Sequence, residues 1–199
     1  RKAHRDLTVI GVTGSMGKTT TKELIACALG EQAVATPAYV NSEIGVAKTI
    51  LKNLKKEHEI FIVEMGAYRI GEIAAICRMV QPKIGILTAV SPQHLALFGS
   101  LKNIKQAKYE LIEALPSDGL AIFNGDNAPC RELFSKTTVP KAFYAMKPKN
   151  FQGASFFATD IESAHELGAI DYLIKSQFSM QEVIHRITEH VRAARKEHA

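Results

Sequence analysis

The sequence predicts an α/β fold in which a mostly parallel sheet is covered by helices on both faces. Strand-like apolar runs alternate along the chain with stretches of helical period, the signature of strand–helix–strand units. Some of those runs, IFIVE at residues 60–64 among them, are apolar without alternation, as strands buried on both sides must be. The first run also breaks into a glycine-rich turn that opens directly into a helix.

Residues 7–13 (LTVIGVT) form the first strand, and residues 18–29 the helix that follows the turn. A second helix is expected at 43–54, with Ile44, Ala47, Ile50, Leu51 and Leu54 on one face. The strand at 60–64 ends in the carboxylate of Glu64. Residues 71–80 read as a helix, 83–88 as a strand, and 101–115 as an amphipathic helix carrying Leu101, Ile104, Leu111, Ile112 and Leu115. GLAIFN at 119–124 closes the recognisable series as another buried strand. Beyond residue 137 the pattern loosens, and KPKNFQG at 147–153 has the composition of a loop or linker, which places a junction there. Past it come a short helix at 160–167, a strand at 169–174 and a long helix at 179–196. The expected division is a main domain at 1–160, incomplete at its C-terminal side, and a helix–strand–helix appendage at 161–199.

Composition narrows the function classes. With 199 residues and 46% hydrophobic content the chain can bury a sizeable core. No apolar run approaches the roughly 18 residues of a membrane span, so no membrane association is expected. Cys27, Cys77 and Cys130 are odd in number and lack metal-binding spacing, which suits a reducing, cytoplasmic setting. The first twenty residues hold a strand and a turn in place of a secretory leader, and the chain opens on Arg1, which reads as a piece of something longer. Net charge is +5. Part of it sits in a basic C-terminal run through His185, Arg186, His190, Arg192, Arg195, Lys196 and His198. That run has no interleaved aromatics, so it reads as the solvated face of a helix and no nucleic-acid partner is expected.

The strongest local signal is T-G-S-M-G-K-T-T at residues 13–20, lying between a strand and a helix. Successive backbone N–H groups of such a turn converge on phosphate oxygens, and the following helix adds the positive end of its dipole. Thr13, Gly14, Ser15, Gly17, Lys18, Thr19 and Thr20 are therefore the candidate nucleotide-binding residues. Lys18 would reach the β/γ-phosphates, and the Thr19 hydroxyl would bind Mg²⁺. Val12 stands at the first glycine of the strict G-x-x-x-x-G-K-[ST] pattern, so this is a variant of the P-loop, and the sheet is expected to be P-loop NTPase-like.

Four further segments follow in order: NSEIGV at 41–46, VEMGA at 63–67, HLALFGS at 94–100 with Ala107-Lys108 behind it, and NGDN at 124–127. Together with the P-loop they resemble the central, ATP-binding domain of the Mur ligase family, over roughly residues 7–130. The pairing of E-M-G-A with H-L-x-x-F-G-S is most similar to the branch that adds D-alanyl-D-alanine. The resemblance implies that Glu64 shares Mg²⁺ with Thr19, that His94 is a ligand of a second Mg²⁺, and that Lys108 carries a carbamate able to bind metal. It makes Lys18, His94 and Lys108 the catalytic candidates. It places Asn41 near the phosphates or substrate, and makes Asn124 and Asp126 part of a nucleotide-binding segment in which the asparagine contacts the adenine ring. By the residues alone, Glu64 reads equally as an ordinary strand-end carboxylate, His94 as a surface residue, Lys108 as a solvated helix lysine and N-G-D as a turn. Ala38 and Tyr39 depart from the family pattern, which usually has glycine and asparagine there.

The resemblance further implies ATP-dependent amide formation in peptidoglycan precursor synthesis. A substrate carboxylate attacks the γ-phosphate, and an amine displaces phosphate from the acyl phosphate. The substrates would be a UDP-muramoyl peptide and D-Ala-D-Ala, with ATP and two Mg²⁺. Family members carry N- and C-terminal domains not recognisable here, so the isolated chain is expected to be inactive as a ligase. A folylpolyglutamate synthetase-like ligase and a non-catalytic nucleotide-binding fragment are the alternatives. AHELGAIDYLIKSQF at 164–178, with the helix after it, resembles the end of a response-regulator receiver domain, Lys175 standing where receivers have a phosphate-contacting lysine. The receiver's phosphoacceptor region is not found, so no phosphorelay is implied.

Overall fold

In the computed structural model, residues 7–145 and 156–157 are described. Seven strands form one sheet in the order β2-β3-β1-β4-β5-β6-β7, and every pairing is parallel. β1 is Thr8–Thr13, β2 Ala33–Ala35, β3 Ile60–Met65 and β4 Ile84–Leu87. β5 is Leu120–Asn124, β6 Lys141–Ala145 and β7 Phe156–Phe157. The helices are α1 (Lys18–Leu29), α2 (Glu43–Asn53), α3 (Glu72–Val80), α4 (Leu95–Phe98), α5 (Leu101–Glu113) and α6 (Ala128–Lys136). All six residues of β3 are buried, which accounts for its unbroken apolar run.

Two cores follow from the direction of the crossovers. β1 connects outward to the edge strand β2, whereas the later connections run the other way across the sheet. Right-handed crossovers therefore put α1 on one face and the later helices on the other. The packing agrees: Ile10, Val12, Ile60, Ile62, Ile84 and Ile86 form one cluster with Ile25 and Leu29 of α1. Val9, Phe61, Val63, Met65 and Phe123 join Val46, Ile73, Ile76, Ile104, Leu111 and Leu133 in the other. Because β1 and β4 are neighbours whose following connections leave in opposite directions, a crevice opens at their C-terminal ends, where such sheets place ligands.

Three expectations need correction. The buried face of α2 runs through Val46 and Thr49, with Ile50 and Leu54 packed against the core, while Ile44 is 70% and Leu51 85% exposed; the expected stripe holds at Ile50 and Leu54 and fails at Ile44 and Leu51. The recognisable series does not close at β5, because α6, β6 and β7 continue it. α6 carries its own start signal, Asn127 accepting from Cys130 N with proline in the first turn. The strand following the 147–153 segment pairs with β6, so the sheet runs across that segment. The boundary at 160, the receiver-like stretch 161–199 with Lys175, and the basic C-terminal run lie outside the described residues. Among the described residues no helix is long and apolar enough to cross a membrane.

Candidate functional site

The loop after β1 is folded around two glycines with positive φ, Gly14 at 149° and Gly17 at 79°. A Cβ on Gly14 would lie 2.1 Å from Thr88 Oγ1 and 2.9 Å from the Ala89 amide, so sterics as well as backbone conformation demand glycine. Strand β4 and the residues after it brace this loop. Thr88 N donates to the Thr13 carbonyl (2.9 Å), the Thr88 hydroxyl to the Met16 carbonyl (2.6 Å), and Ser15 N to the Ala89 carbonyl (2.7 Å). Ser91 N donates to the Ser15 hydroxyl at 3.0 Å. α1 begins with no side-chain cap and no acidic residue in its first turn, which leaves the positive end of the helix available to an anion.

Thr19 and Glu64 meet at this helix start. The Thr19 hydroxyl donates to Glu64 Oε2 at 2.9 Å, and Asn41 Nδ2 donates to Oε1 at 3.4 Å. Glu64 is 2% exposed at the end of β3, its own amide donating to the Thr36 hydroxyl. A hydroxyl and a carboxylate are hard oxygen donors suited to Mg²⁺. Among the described residues no three His, Cys, Asp or Glu side chains cluster into a metal cage, so a cation here needs oxygens from a ligand, which is how Mg²⁺ commonly sits with phosphates.

Lys18, His94 and Lys108 share one small cavity, whose lining also includes Gly14, Ser15, Asn41 and Tyr68. Burial lowers the Lys18 pKa, and the Glu64 carboxylate partly restores it. Lys108, which the residues alone would leave solvated, is 5% exposed. Burial and then repulsion by Lys18 push its pKa down to about 8, against the pull of Glu110 and Glu72. His94 heads α4 in a left-handed conformation (φ 59°), with its ring edge-on to Tyr68 at 5.4 Å. Thr20 is exposed in the first turn of α1.

Asn124, at the end of β5, gives one N–H to the Thr88 carbonyl (2.8 Å), while its Oδ1 accepts from the Asp126 amide (2.9 Å). An amide retains one further N–H and one lone pair, the pairing that an adenine N7/N6 edge requires. The N-G-D segment is thus both a side-chain-closed turn and a candidate base contact. Tyr39 adopts φ 64°, a conformation that asparagine tolerates far better.

Several residues that shape the site escaped the sequence reading. Lys22 is fully buried beside Glu64, Thr36 holds the Glu64 backbone, and Thr88 locks the P-loop. Lys22 was findable, since it lies three residues after Thr19 and so shares its helix face. Thr36 and Thr88 give no comparable local signal.

The chain matches the model of the Mur ligase middle domain over residues 12–190. It is 47% identical over 122 residues to UDP-N-acetylmuramoyl-tripeptide–D-alanyl-D-alanine ligase of Synechocystis sp., covering 60% of this chain and 27% of that protein. It is similar in structure to MurF from Acinetobacter baumannii, with a TM-score of 0.72, 30% identity, and coverage of 80% of this chain and 34% of the other. MurF ligase from Thermotoga maritima in complex with ADP gives a TM-score of 0.69 at 32% identity, covering 78% of this chain and 35% of that one. The chain thus spans about a quarter to a third of the length of these relatives.

Proposed function

The chain belongs to the Mur ligase family, whose middle domain it matches, and from that premise we propose that it is the ATP-binding part of a cytoplasmic ligase that joins D-Ala-D-Ala to a UDP-muramoyl tripeptide. The observation that carries this reading is the glycine turn at the head of α1 with Thr19 hydrogen-bonded to the buried Glu64 carboxylate at 2.9 Å. The 47% identity to a ligase named for that reaction supports the peptide substrate over a folate-type one.

The chemistry asked of these residues is positioning and charge neutralisation. The P-loop amides and the α1 terminus bind the β- and γ-phosphates, and Lys18 places its cation against the group being transferred. Thr19 and Glu64 would hold one Mg²⁺, with His94 and Lys108 near a second. Bound Mg²⁺ supplies neutralisation of the charge that gathers on the γ-phosphoryl oxygens. Asn124 presents its remaining N–H and lone pair to adenine, and Asp126 fixes the turn through its own amide. Lys108 faces Lys18 from a buried position, an unfavourable pair while both are cations. Addition of its neutral amine to CO₂, with loss of a proton, would replace that repulsion by attraction. A substrate carboxylate then attacks the γ-phosphate and releases ADP, and the incoming amine displaces phosphate from the acyl phosphate with loss of a proton; the amine and sugar-nucleotide sites are expected from the remaining length of the relatives.

Titration of the chain with ADP and Mg²⁺ tests the premise. Replacing a charge-assisted phosphate contact costs about 1.5–3 kcal/mol, so Lys18→Ala is expected to weaken ADP binding by roughly 10- to 100-fold. Equal, negligible affinity in wild type and variant would remove the basis of the reading.

A further inference from the structure

Lys22 is a lysine with no exposed side-chain surface, buried on the face of α1 that carries Thr19. Its ammonium donates to the Thr36 carbonyl at 2.7 Å and lies 2.9 Å from Glu23 Oε1, at the protein surface. It also stands 3.6 Å from Glu64 Oε2, the same oxygen that accepts from the Thr19 hydroxyl. Thr36 closes the arrangement, since its hydroxyl accepts from the Glu64 amide. The cation is therefore fixed from two sides and has no room to swing away. Lys18, one turn earlier and partly exposed, can move onto a phosphate.

Resting on the proposed nucleotide site, we infer that Lys22 makes divalent-cation binding at Thr19 and Glu64 conditional on the nucleotide. Without a nucleotide, the buried ammonium, shared with Glu23, offsets part of the Glu64 charge and stands 3.6 Å from the carboxylate oxygen that a cation would use. Lys22 and Glu64 are both buried, so the repulsion is only weakly screened. A bare cation must meet that repulsion with one carboxylate and one hydroxyl, because the described residues offer no further acidic cluster. The phosphates reverse the balance by bringing negative charge and additional oxygen ligands together. Lys22 is on this account a positioning residue acting through Glu64, and the metal arrives with its nucleotide rather than before it.

Mn²⁺ binding, followed by electron paramagnetic resonance, separates this from a purely structural strut. Wild type is expected to bind bare Mn²⁺ weakly and Mn²⁺ with ADP far more tightly. Lys22→Met is expected to bind bare Mn²⁺ at least about tenfold more tightly than wild type, as removal of a nearby unscreened positive charge requires. That gain should vanish in Lys22→Met/Glu64→Gln. Unchanged or weaker bare Mn²⁺ binding in folded Lys22→Met overturns the inference and leaves the nucleotide site intact. Should Lys22→Met fail to fold, Lys22→Gln, whose amide can still donate to the Thr36 carbonyl, takes its place: tighter bare Mn²⁺ binding than wild type upholds the inference, and unchanged or weaker binding, or wild type holding bare Mn²⁺ as tightly as Mn²⁺ with ADP, overturns it. Absence of ADP binding by the wild type, or Mn²⁺–ADP affinity indifferent to Glu64→Gln, sinks the nucleotide-site reading and this inference with it.

Discussion

Lys108 and Lys18 illustrate how much one residue's chemistry depends on neighbours far along the chain. Both are lysines on helices, and nothing in the local sequence around Lys108 announces burial; its side chain lies beneath the site because α5 packs against α3 and the sheet. The folded chain holds its pKa near 8, while the unfolded chain restores the usual 10.5. Between those values the unfolded state binds more protons, so stability rises as pH climbs from about 8 to about 10.5, and the full cost of the buried cation is felt below 8. In CO₂-free buffer, Lys108→Met is therefore expected to be more stable than wild type at pH 7, by up to about 3 kcal/mol. The advantage should shrink by pH 10, as urea denaturation at the two pH values would measure; a pH-independent difference would mean that the amine is solvated. The place of Lys18 in the cavity was legible from its motif alone, because it follows the glycine turn directly.

At the scale of elements, β1, β3, β4 and β5 and the helices α1, α2, α3 and α5 were read nearly to their boundaries, since each carries enough of its pattern to be recognised, whereas α6 and β6, as long as α3 and β5, went unread. β2, with three residues, and α4, with four, are too short to show any period. The link between α3 and α5 was also invisible. α3 starts at Gly71 with no side-chain cap from its own segment. Glu110 of α5 supplies it, accepting from Gly71 N at 2.5 Å and Ala74 N at 2.9 Å. A carboxylate that caps a helix three elements away ties the loop after β3 to the helix bearing Lys108. Glu110 is 6% exposed, and its removal takes the partner from the amide of Gly71, an exposed residue, and from that of half-buried Ala74. Glu110→Ala is expected to cost about 1–2 kcal/mol, read as a lower urea midpoint with an unchanged slope. A loss under about 0.5 kcal/mol would show that water replaces the cap.

The whole molecule decides which groups meet solvent, and the three cysteines report on it. Cys77 and Cys130 lie in the core, and burial pushes each thiol up to about 12, whereas Cys27 is exposed on α1. Reactivity follows the thiolate. A thiol reagent at pH 8 should therefore modify one cysteine per native chain quickly and all three only after denaturation; rapid reaction of two or more native thiols would mean that a core opens readily. The parallel sheet and the glycine turn that opens into α1 were determined by sequence alone, because each rests on residues adjacent in the chain or repeated at a fixed period. The buried Lys22–Glu64 pair, the brace from Thr88, the Glu110 cap and the exposed face of α2 were decided by tertiary structure. Each depends on which side of the sheet a crossover passes and on which helix it meets there, and those contacts join residues that no local pattern relates.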